Sequence, residues 1–177
     1  MNNLFYLEKE NFLNQKNIDF IENKILSYDF PYYLYKQSLL SSSIKDNFFT
    51  HTVLKRKKNK EDTEIINSPF YEDVVSIIKD FKDINTFYRI AINITFNNGF
   101  ETCPVHTDHS FDHKQLIIYL NDVQDKDSKT VILDDDEQTI LKEIVPKKYK
   151  AICFSNKPHF HYFPKKGIRV ILVSTFN

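Results

Sequence analysis

The 177-residue sequence predicts a mainly β fold with flanking helices, an α+β domain whose helices pack on a β-sandwich or barrel. Hydrophobic residues recur every three to four positions in the first half of the chain, but they alternate every second position in later, short stretches. Polar turns separate those stretches, and no internal repeat or linker divides the chain. We therefore predict one domain over 1–177, with a helical and irregular N-terminal part over 1–85 and a β core over 86–177.

Two helices are predicted in the N-terminal part. The first spans 17–28, where isoleucines form one apolar stripe, and it ends before Pro31 because the residue preceding a proline avoids helical geometry. The second spans 68–82, where apolar residues recur at helical spacing. Ser68 is its expected cap, and Pro69 suits the first helical position.

Short strands are predicted in the C-terminal part. The clearest is 87–96, in which large apolar residues alternate with Arg89, Ala91, Asn93 and Thr95, as in a half-buried strand. The acidic run 134–137, which follows the predicted strand 130–133, is interpreted as a hairpin turn, since it lacks the alternation and the glycine of a calcium loop. The later strands are predicted at 115–121, 130–133, 139–144, 150–154 and 168–175.

Composition excludes several classes of protein. Lysines and arginines number 24 and acidic residues number 24, so no domain-wide basic field favours nucleic acid as a partner. The two glycines are too few for a Rossmann or Walker phosphate loop. No apolar run approaches the roughly 20 residues of a membrane-spanning helix. Only Arg56, Arg89 and Arg169 are arginines, so each is expected to serve a geometry that lysine cannot supply.

The cysteine content and the first residues indicate a reducing compartment. Cys103 and Cys153 cannot form a disulfide framework or a four-thiolate zinc site, and an inert thiol is the favoured interpretation of Cys103. The opening residues carry Glu and Asn where a signal peptide would have Lys or Arg before an apolar stretch. We therefore expect a cytoplasmic protein.

Histidines and an aspartate cluster after the first long strand. Residues two apart in an extended segment point to the same side, so His106 and Asp108 converge. Downstream, His159 and His161 are also two apart. Two histidines and one carboxylate on one side of a metal ion leave the other side open, which is the arrangement of non-haem iron(II) oxygenases. His-x-Asp alone is a weak signal, and a solvated turn is its ordinary interpretation.

Arg169 opens an apolar strand. Its buried charge is costly unless a carboxylate neutralises it. A bound dicarboxylic acid would do so through two parallel hydrogen bonds. An ion pair with a carboxylate of the protein is the alternative.

The order of His-x-Asp, a distal His and then an Arg resembles the iron(II)/2-oxoglutarate-dependent oxygenases, above all the prolyl-hydroxylase-like branch with its small phage and bacterial members. The resemblance runs from about Arg89 to Thr175, and 119–121 supplies the Tyr-Leu-Asn that follows His-Thr-Asp in that branch. It implies a double-stranded β-helix (jelly roll) with flanking helices, in which 86–177 is the metal core. The glycine-glycine-x-threonine turn that is common after the Tyr-Leu-Asn strand in the family is Asp-Ser-Lys-Thr here, so that only Thr130 of the pattern is kept.

The resemblance implies the catalytic iron(II) ligands. By position these are His106, Asp108 and His159, because His159 precedes Arg169 by the usual ten residues. His161 stays open as the distal ligand. A carboxylate at the position of Asp108 also separates the hydroxylases of the family from its halogenating members.

The resemblance implies the cosubstrates and the reaction as well. Arg169 would bind the distal carboxylate of 2-oxoglutarate, Tyr119 would be a second donor to it, and Asn93 would line the pocket. With O2 as cosubstrate, such a dioxygenase hydroxylates a small-molecule or peptide substrate and releases succinate and CO2. The substrate is not identified by the sequence. For a phage member the compartment would be the cytoplasm of a bacterium or of a phage-infected host cell.

Two alternatives from other classes stay open. One is a cupin-like metal-binding β-helix protein without 2-oxoglutarate chemistry, and the other is a catalytically inactive interaction domain of phage or bacterial origin. Among the remaining histidines, His51 is expected to be structural, and His109 and His113 are expected to support the site or lie at the surface.

Overall fold

Two antiparallel β-sheets and two short helices are seen in a computed structural model that describes residues 4–38 and 45–177. Helix α1 (Gln15–Phe20) continues as a π-helical turn (Ile21–Ile25), and α2 is Tyr71–Phe81. None of the helices in the described ranges is long and apolar enough to cross a membrane. The strands are β1 (Tyr6–Lys9), β2 (Tyr33–Ser38), β3 (Lys45–Leu54), β4 (Phe87–Phe96), β5 (Lys114–Tyr119), β6 (Thr130–Leu133), β7 (Ile140–Ile144), β8 (Ala151–Ser155), β9 (His159–His161) and β10 (Ile168–Phe176).

The larger sheet has the strand order β1-β8-β5-β10-β4-β3-β2, and the smaller sheet has the order β7-β6-β9. Strand β10 lies at the centre of the larger sheet between β4 and β5. Its register places Arg169 opposite Thr95, and Thr175 opposite both Arg89 and Gln115. Because side chains alternate between the faces of a strand, this register fixes which residues share a face.

One face of the larger sheet, here called the helix face, is apolar. On it lie Ile90 and Ile92 of β4 and Ile118 of β5, all fully buried in one cluster with the helices. Helix α2 adds its own buried stripe at three-to-four spacing, as the sequence predicts. The members of that stripe are Val74, Val75, Ile77, Ile78 and Phe81.

The other face, here called the cavity face, is directed towards the smaller sheet. Its apolar part, with Ile117 and Ile171, packs on Ile132 and Ile144 of the smaller sheet in a second buried cluster. The remainder of this face is polar and lines a cavity. The fold therefore has three layers, with helices, larger sheet and smaller sheet stacked around two cores.

The predicted mainly β fold and the six C-terminal strands are confirmed, with bounds that differ by at most one or two residues. Strand β4 is buried along most of both faces and is not the predicted half-buried strand, because helices cover one face and the other lines the cavity between the two sheets. The acidic run forms the turn of the β6–β7 hairpin, as expected.

The N-terminal part differs from the prediction. Three strands, β1, β2 and β3, lie within 1–85, which was expected to be helical and irregular, and all three join the larger sheet. The first helix ends its regular turns at Phe20, earlier than predicted. The second begins at Tyr71, so Ser68 is not its cap: the Ser68 hydroxyl instead accepts the Phe70 N–H at 3.1 Å.

Candidate active site

A cavity of about 260 Å³ lies between the two sheets. The sequence-predicted residues His106, Asp108, His159, His161 and Arg169 all line it, although more than 60 positions separate the first from the last. The β-sheet pairings therefore bring together the side chains that the spacing of the sequence marked as a set.

His106 and His159 are held opposite each other by the backbone. The His106 N–H donates to the His159 carbonyl at 3.1 Å, and the reverse bond measures 2.9 Å. The two ring centroids are 4.5 Å apart. Each Nδ1 lies against a backbone carbonyl, of Pro104 at 2.8 Å and of Lys157 at 3.1 Å, which assigns the proton to Nδ1 and makes the unprotonated Nε2 the nitrogen that would bind a metal.

His159 is a neutral imidazole in this setting. Burial, together with the nearby His106, lowers the pKa of His159 to about 3. The Gln115 amide nitrogen lies 3.1 Å from His159 Nε2 and donates to it. A neutral imidazole with an available Nε2 is the form in which histidine binds divalent metals.

His161 has different neighbours. Its backbone carbonyl accepts the Cys103 N–H, and its ring Nδ1 lies 3.1 Å from the Cys103 Sγ. Its Nε2 is buried and has no hydrogen-bond partner among the described residues. Burial, and then the charge of Arg169, lowers the pKa of His161 well below its ordinary value. The register with β6 places His161 opposite Thr130, two residue pairs away from His159, which lies opposite Ile132.

Asp108 is bound by two arginines. Its Oδ1 accepts from Arg56 Nη2 at 2.6 Å and from Arg89 Nη1 at 2.9 Å, and its backbone carbonyl accepts from Arg56 Nη1 at 2.8 Å. Burial alone would raise the pKa of the Asp108 carboxyl, but the charges of Arg89 and Arg56 outweigh it and hold the pKa well below its usual range. The carboxylate is therefore ionised.

No group of three or more His, Cys, Asp and Glu side chains within 4–38 and 45–177 is arranged to hold a metal ion as it stands. The two imidazoles already face each other, whereas Oδ1 of Asp108 is engaged by guanidiniums. The arginine contacts described above end on Oδ1 and on the backbone oxygen, so Oδ2 is the atom left to bind a metal. Two imidazoles and one carboxylate are a donor set that suits ferrous iron.

Arg169 is 1 % exposed, and its guanidinium is only partly satisfied. Nη2 donates to Thr130 Oγ1 at 2.7 Å, while Nε and Nη1 are buried without a hydrogen-bond partner in the described part of the chain. A buried charge without a partner costs on the order of several kcal/mol of stability. The unpaired N–H groups therefore fit a carboxylate that the protein itself does not supply.

Tyr119 reaches this region through Thr130. Its hydroxyl lies 2.8 Å from Thr130 Oγ1, and its ring centroid is 5.4 Å from the Arg169 guanidinium carbon. Thr130 lines the cavity, and Tyr119 lies behind it. The Tyr119 ring and hydroxyl thus orient the two groups that face the cavity.

The cavity has two distinct ends. Arg169 pairs with Thr95, whereas Arg89, six residues before Thr95 on β4, pairs with Thr175. Six residues of extended chain span about 20 Å of backbone. We call these the Arg169 end and the Asp108 end, because Arg89 binds Asp108.

The other predicted residues fall in and around this site. Asn93 lines the cavity, as expected. His109 and His113 are buried outside it and not at the surface: His109 Nε2 lies 2.8 Å from Thr175 Oγ1. His51 is structural, with Nδ1 2.8 Å from the Pro31 carbonyl oxygen.

Gln115, Thr130 and the pairing of Asp108 with Arg56 and Arg89 were not foreseen from the sequence. The one signal for the arginines was their scarcity, since all three arginines of the chain line this cavity. No comparable signal marked Gln115, which follows Lys114 at the polar start of a strand whose remaining residues are apolar or aromatic.

The fold is similar to that of solved oxygenases, although no family model and no curated protein matches the sequence. A 2OG-Fe(II) oxygenase-family oxidoreductase from Burkholderia pseudomallei superimposes with a TM-score of 0.73 at 12 % identity, covering 97 % of this chain and 84 % of that one. A prolyl-4-hydroxylase from Pseudomonas putida gives 0.59 at 11 % identity, covering 97 % and 92 %. The viral collagen prolyl hydroxylase of Paramecium Bursaria Chlorella virus-1, solved as a 2OG complex, gives 0.56 at 15 % identity, covering 97 % and 94 %.

These superpositions agree with the architecture described above, in which two antiparallel sheets enclose a polar cavity between them. The chain therefore has the double-stranded β-helix fold of the 2OG-Fe(II) oxygenases, prolyl hydroxylases among them.

Proposed function

We propose that this protein is an iron(II)- and 2-oxoglutarate-dependent dioxygenase that hydroxylates its substrate and releases succinate and CO2. The observation that carries the proposal is Arg169, a buried guanidinium whose Nε and Nη1 lack partners among the described residues. It faces the same cavity as His106, His159 and Asp108. A diacid of the length of 2-oxoglutarate would neutralise the guanidinium with one carboxylate and reach towards the imidazoles with the other.

His106, His159 and Asp108 are the proposed iron ligands. His159 is preferred to His161 because its backbone pairs with His106, whereas the His161 ring lies against Cys103. The Pro104 and Lys157 carbonyls fix both imidazoles in the tautomer whose Nε2 carries no proton, and iron(II) would take the place of the Gln115 amide at His159 Nε2. When bound, iron(II) and 2-oxoglutarate supply the oxidative decarboxylation that activates O2 for hydroxylation.

The chain itself supplies orientation and protection. Thr130 holds Arg169 Nη2, and Tyr119 holds Thr130, so the guanidinium is fixed before the diacid arrives. Apolar side chains of the cavity face, including Ile171 and Val173, line the walls between the two ends. Such walls exclude water from the reacting groups.

Anaerobic titration of the full chain with iron(II) and then 2-oxoglutarate tests the proposal. We expect the weak visible charge-transfer band of a chelated 2-oxo acid, followed by stoichiometric succinate once O2 and a substrate panel are added. Succinate itself, which lacks the 2-oxo group, is the matched control and should give no band.

The alternatives give different results. A cupin-like metal protein would bind iron(II) but show no band with 2-oxoglutarate, and an inactive interaction domain would retain neither ligand. Either result would contradict the proposed function.

A further inference from the structure

The Asp108 end of the cavity carries more positive charge than its carboxylate balances. The Arg56 and Arg89 guanidiniums share the single Oδ1 of Asp108. In the described part of the chain, the charged side chains that line the whole cavity are these three and Arg169.

This charge cannot serve the diacid proposed for Arg169. The β4–β10 register separates Arg89 from the Arg169 end by six residues, about 20 Å of backbone. A 2-oxoglutarate held by Arg169 and the metal would occupy the space between the imidazoles and Arg169. Arg56 and Arg89, which bind the proposed ligand Asp108, would then remain at the Asp108 end, unused by the diacid and available to a substrate.

The two arginines differ in how much of their hydrogen-bonding capacity Asp108 uses. Arg56 binds Asp108 twice, through Nη1 and Nη2, yet 45 % of its side chain is exposed. Arg89 gives Asp108 only Nη1, and its side chain is 14 % exposed. A guanidinium has five N–H donors, so both retain donors for a further acceptor.

We infer that Arg56 and Arg89 form the substrate-recognition site and that the substrate is a small organic oxyanion, a carboxylate or a phosphate monoester, bound with its charge at the Asp108 end. This inference rests on the proposed function, since it assigns the substrate class of the same site. The planar guanidinium fork matches both carboxylate and phosphate. The cavity volume of about 260 Å³, shared with 2-oxoglutarate, favours a small molecule over a folded partner.

Binding of matched probes to the anaerobic protein loaded with iron(II) and 2-oxoglutarate tests the inference. The probes are pentanoate against pentanamide, and n-butyl phosphate against n-butanol, titrated calorimetrically. We expect the acid of at least one pair to bind about tenfold or more tightly than its neutral counterpart, as charge-assisted hydrogen bonds provide. The pair that shows the preference distinguishes a carboxylate from a phosphate substrate.

Variants identify the residue that carries the preference. Arg56→Gln should bring the ratio of acid to neutral affinity close to one. Arg56→Lys, which keeps the charge and loses the fork, should retain part of the ratio. Lys55→Gln is the matched control, because it removes one positive charge from an exposed neighbour and should leave the ratio unchanged.

Three outcomes would overturn the inference. Equal affinity for acids and neutral probes excludes an oxyanion site, and a strong preference for an acidic peptide when small acids do not bind excludes a small-molecule substrate. If Arg56→Gln weakens iron(II) binding while the ratio is unchanged, the arginines only orient Asp108. Absence of the iron(II)–2-oxoglutarate band overturns the proposed function, whereas a normal band without acid preference overturns this inference alone.

Discussion

On β4, Ile90 and Ile92 point to the helices, while their neighbours Arg89 and Asn93 point to the cavity. The helix face buries aliphatic side chains that satisfy one another by packing alone. The cavity face buries charges and amides, and two of the buried nitrogens of Arg169, Nε and Nη1, lack hydrogen-bond partners in the described part of the chain. The same backbone thus carries a face that stabilises the fold and a face that costs stability, which proteins retain where they bind ligands.

The largest expected effect distinguishes His159 from His161, which both lie on β9 of the smaller sheet. His159→Ala should weaken iron(II) binding by more than about 100-fold, beyond the 10–100-fold that loss of a supporting hydrogen bond costs, because it removes a proposed ligand. His161→Ala should weaken it by less than about tenfold, since His161 contacts Cys103 and the Arg169 end. Anaerobic equilibrium dialysis with iron(II) measures both, and the reverse order would make His161 the ligand.

Arg169→Met tests whether the cavity face sacrifices stability for binding. We expect 2-oxoglutarate affinity to fall about 100-fold, because a buried charge pair is worth about 2–5 kcal/mol when one partner is removed. The ligand-free variant should melt at a higher temperature than the original protein, since an unpaired buried charge has been replaced by an apolar chain of similar length.

Calorimetry for 2-oxoglutarate and thermal unfolding of the ligand-free protein measure the two effects of Arg169→Met. Arg169→Lys is the control that keeps the charge. Unchanged 2-oxoglutarate affinity with a lowered melting temperature would mean that Arg169 is a structural residue and that the two faces do not differ in this way.

Ile118→Ala makes the complementary change on the helix face. Ile118 is fully buried, so its truncation should lower the free energy of unfolding by about 2–5 kcal/mol. Affinity for 2-oxoglutarate should stay within about twofold, since the residues proposed to bind 2-oxoglutarate lie on the cavity face. Chemical denaturation measures the loss, and the exposed Ile140→Ala should stay within about 0.5 kcal/mol. A large change in 2-oxoglutarate affinity would contradict the separation of the faces.

The smallest expected effect concerns His51, a polar residue on the helix face. It pairs with Ile92 across the strands, and burial lowers its pKa. The unfolded chain binds a proton near pH 6.5 that folded His51 resists, so stability should decline as pH falls below about 6.5. His51→Gln should reduce this decline, as followed by melting temperature between pH 7 and 5; an unchanged slope would show that His51 does not contribute.

The sequence predicted those helices and strands in which apolar residues follow a regular spacing. Strand β4 was predicted at its observed bounds because large apolar residues occupy every second position from Tyr88 to Phe96. The strands β1, β2 and β3 were missed because they lie at or near sheet edges and lack that alternation, as the exposed Tyr33, Leu34 and Tyr35 illustrate.

The candidate site shows the same division. His106, Asp108 and Arg169 could be marked from short-range motifs and from the cost of a buried arginine. The partners of Asp108 could not, because Arg56 lies 52 positions away and its position depends on how β3 pairs in the sheet. Pairings between distant segments leave no periodic pattern in the sequence.

The central place of β10 has a consequence for how the protein forms on the ribosome. Strands β4 and β5 both hydrogen-bond to β10, which comes later in the chain than every other described strand. Until β10 has left the exit tunnel, the two halves of the larger sheet lack the strand that joins them. Such long-range pairing also makes refolding slow, in the millisecond-to-second range of topologies with distant contacts.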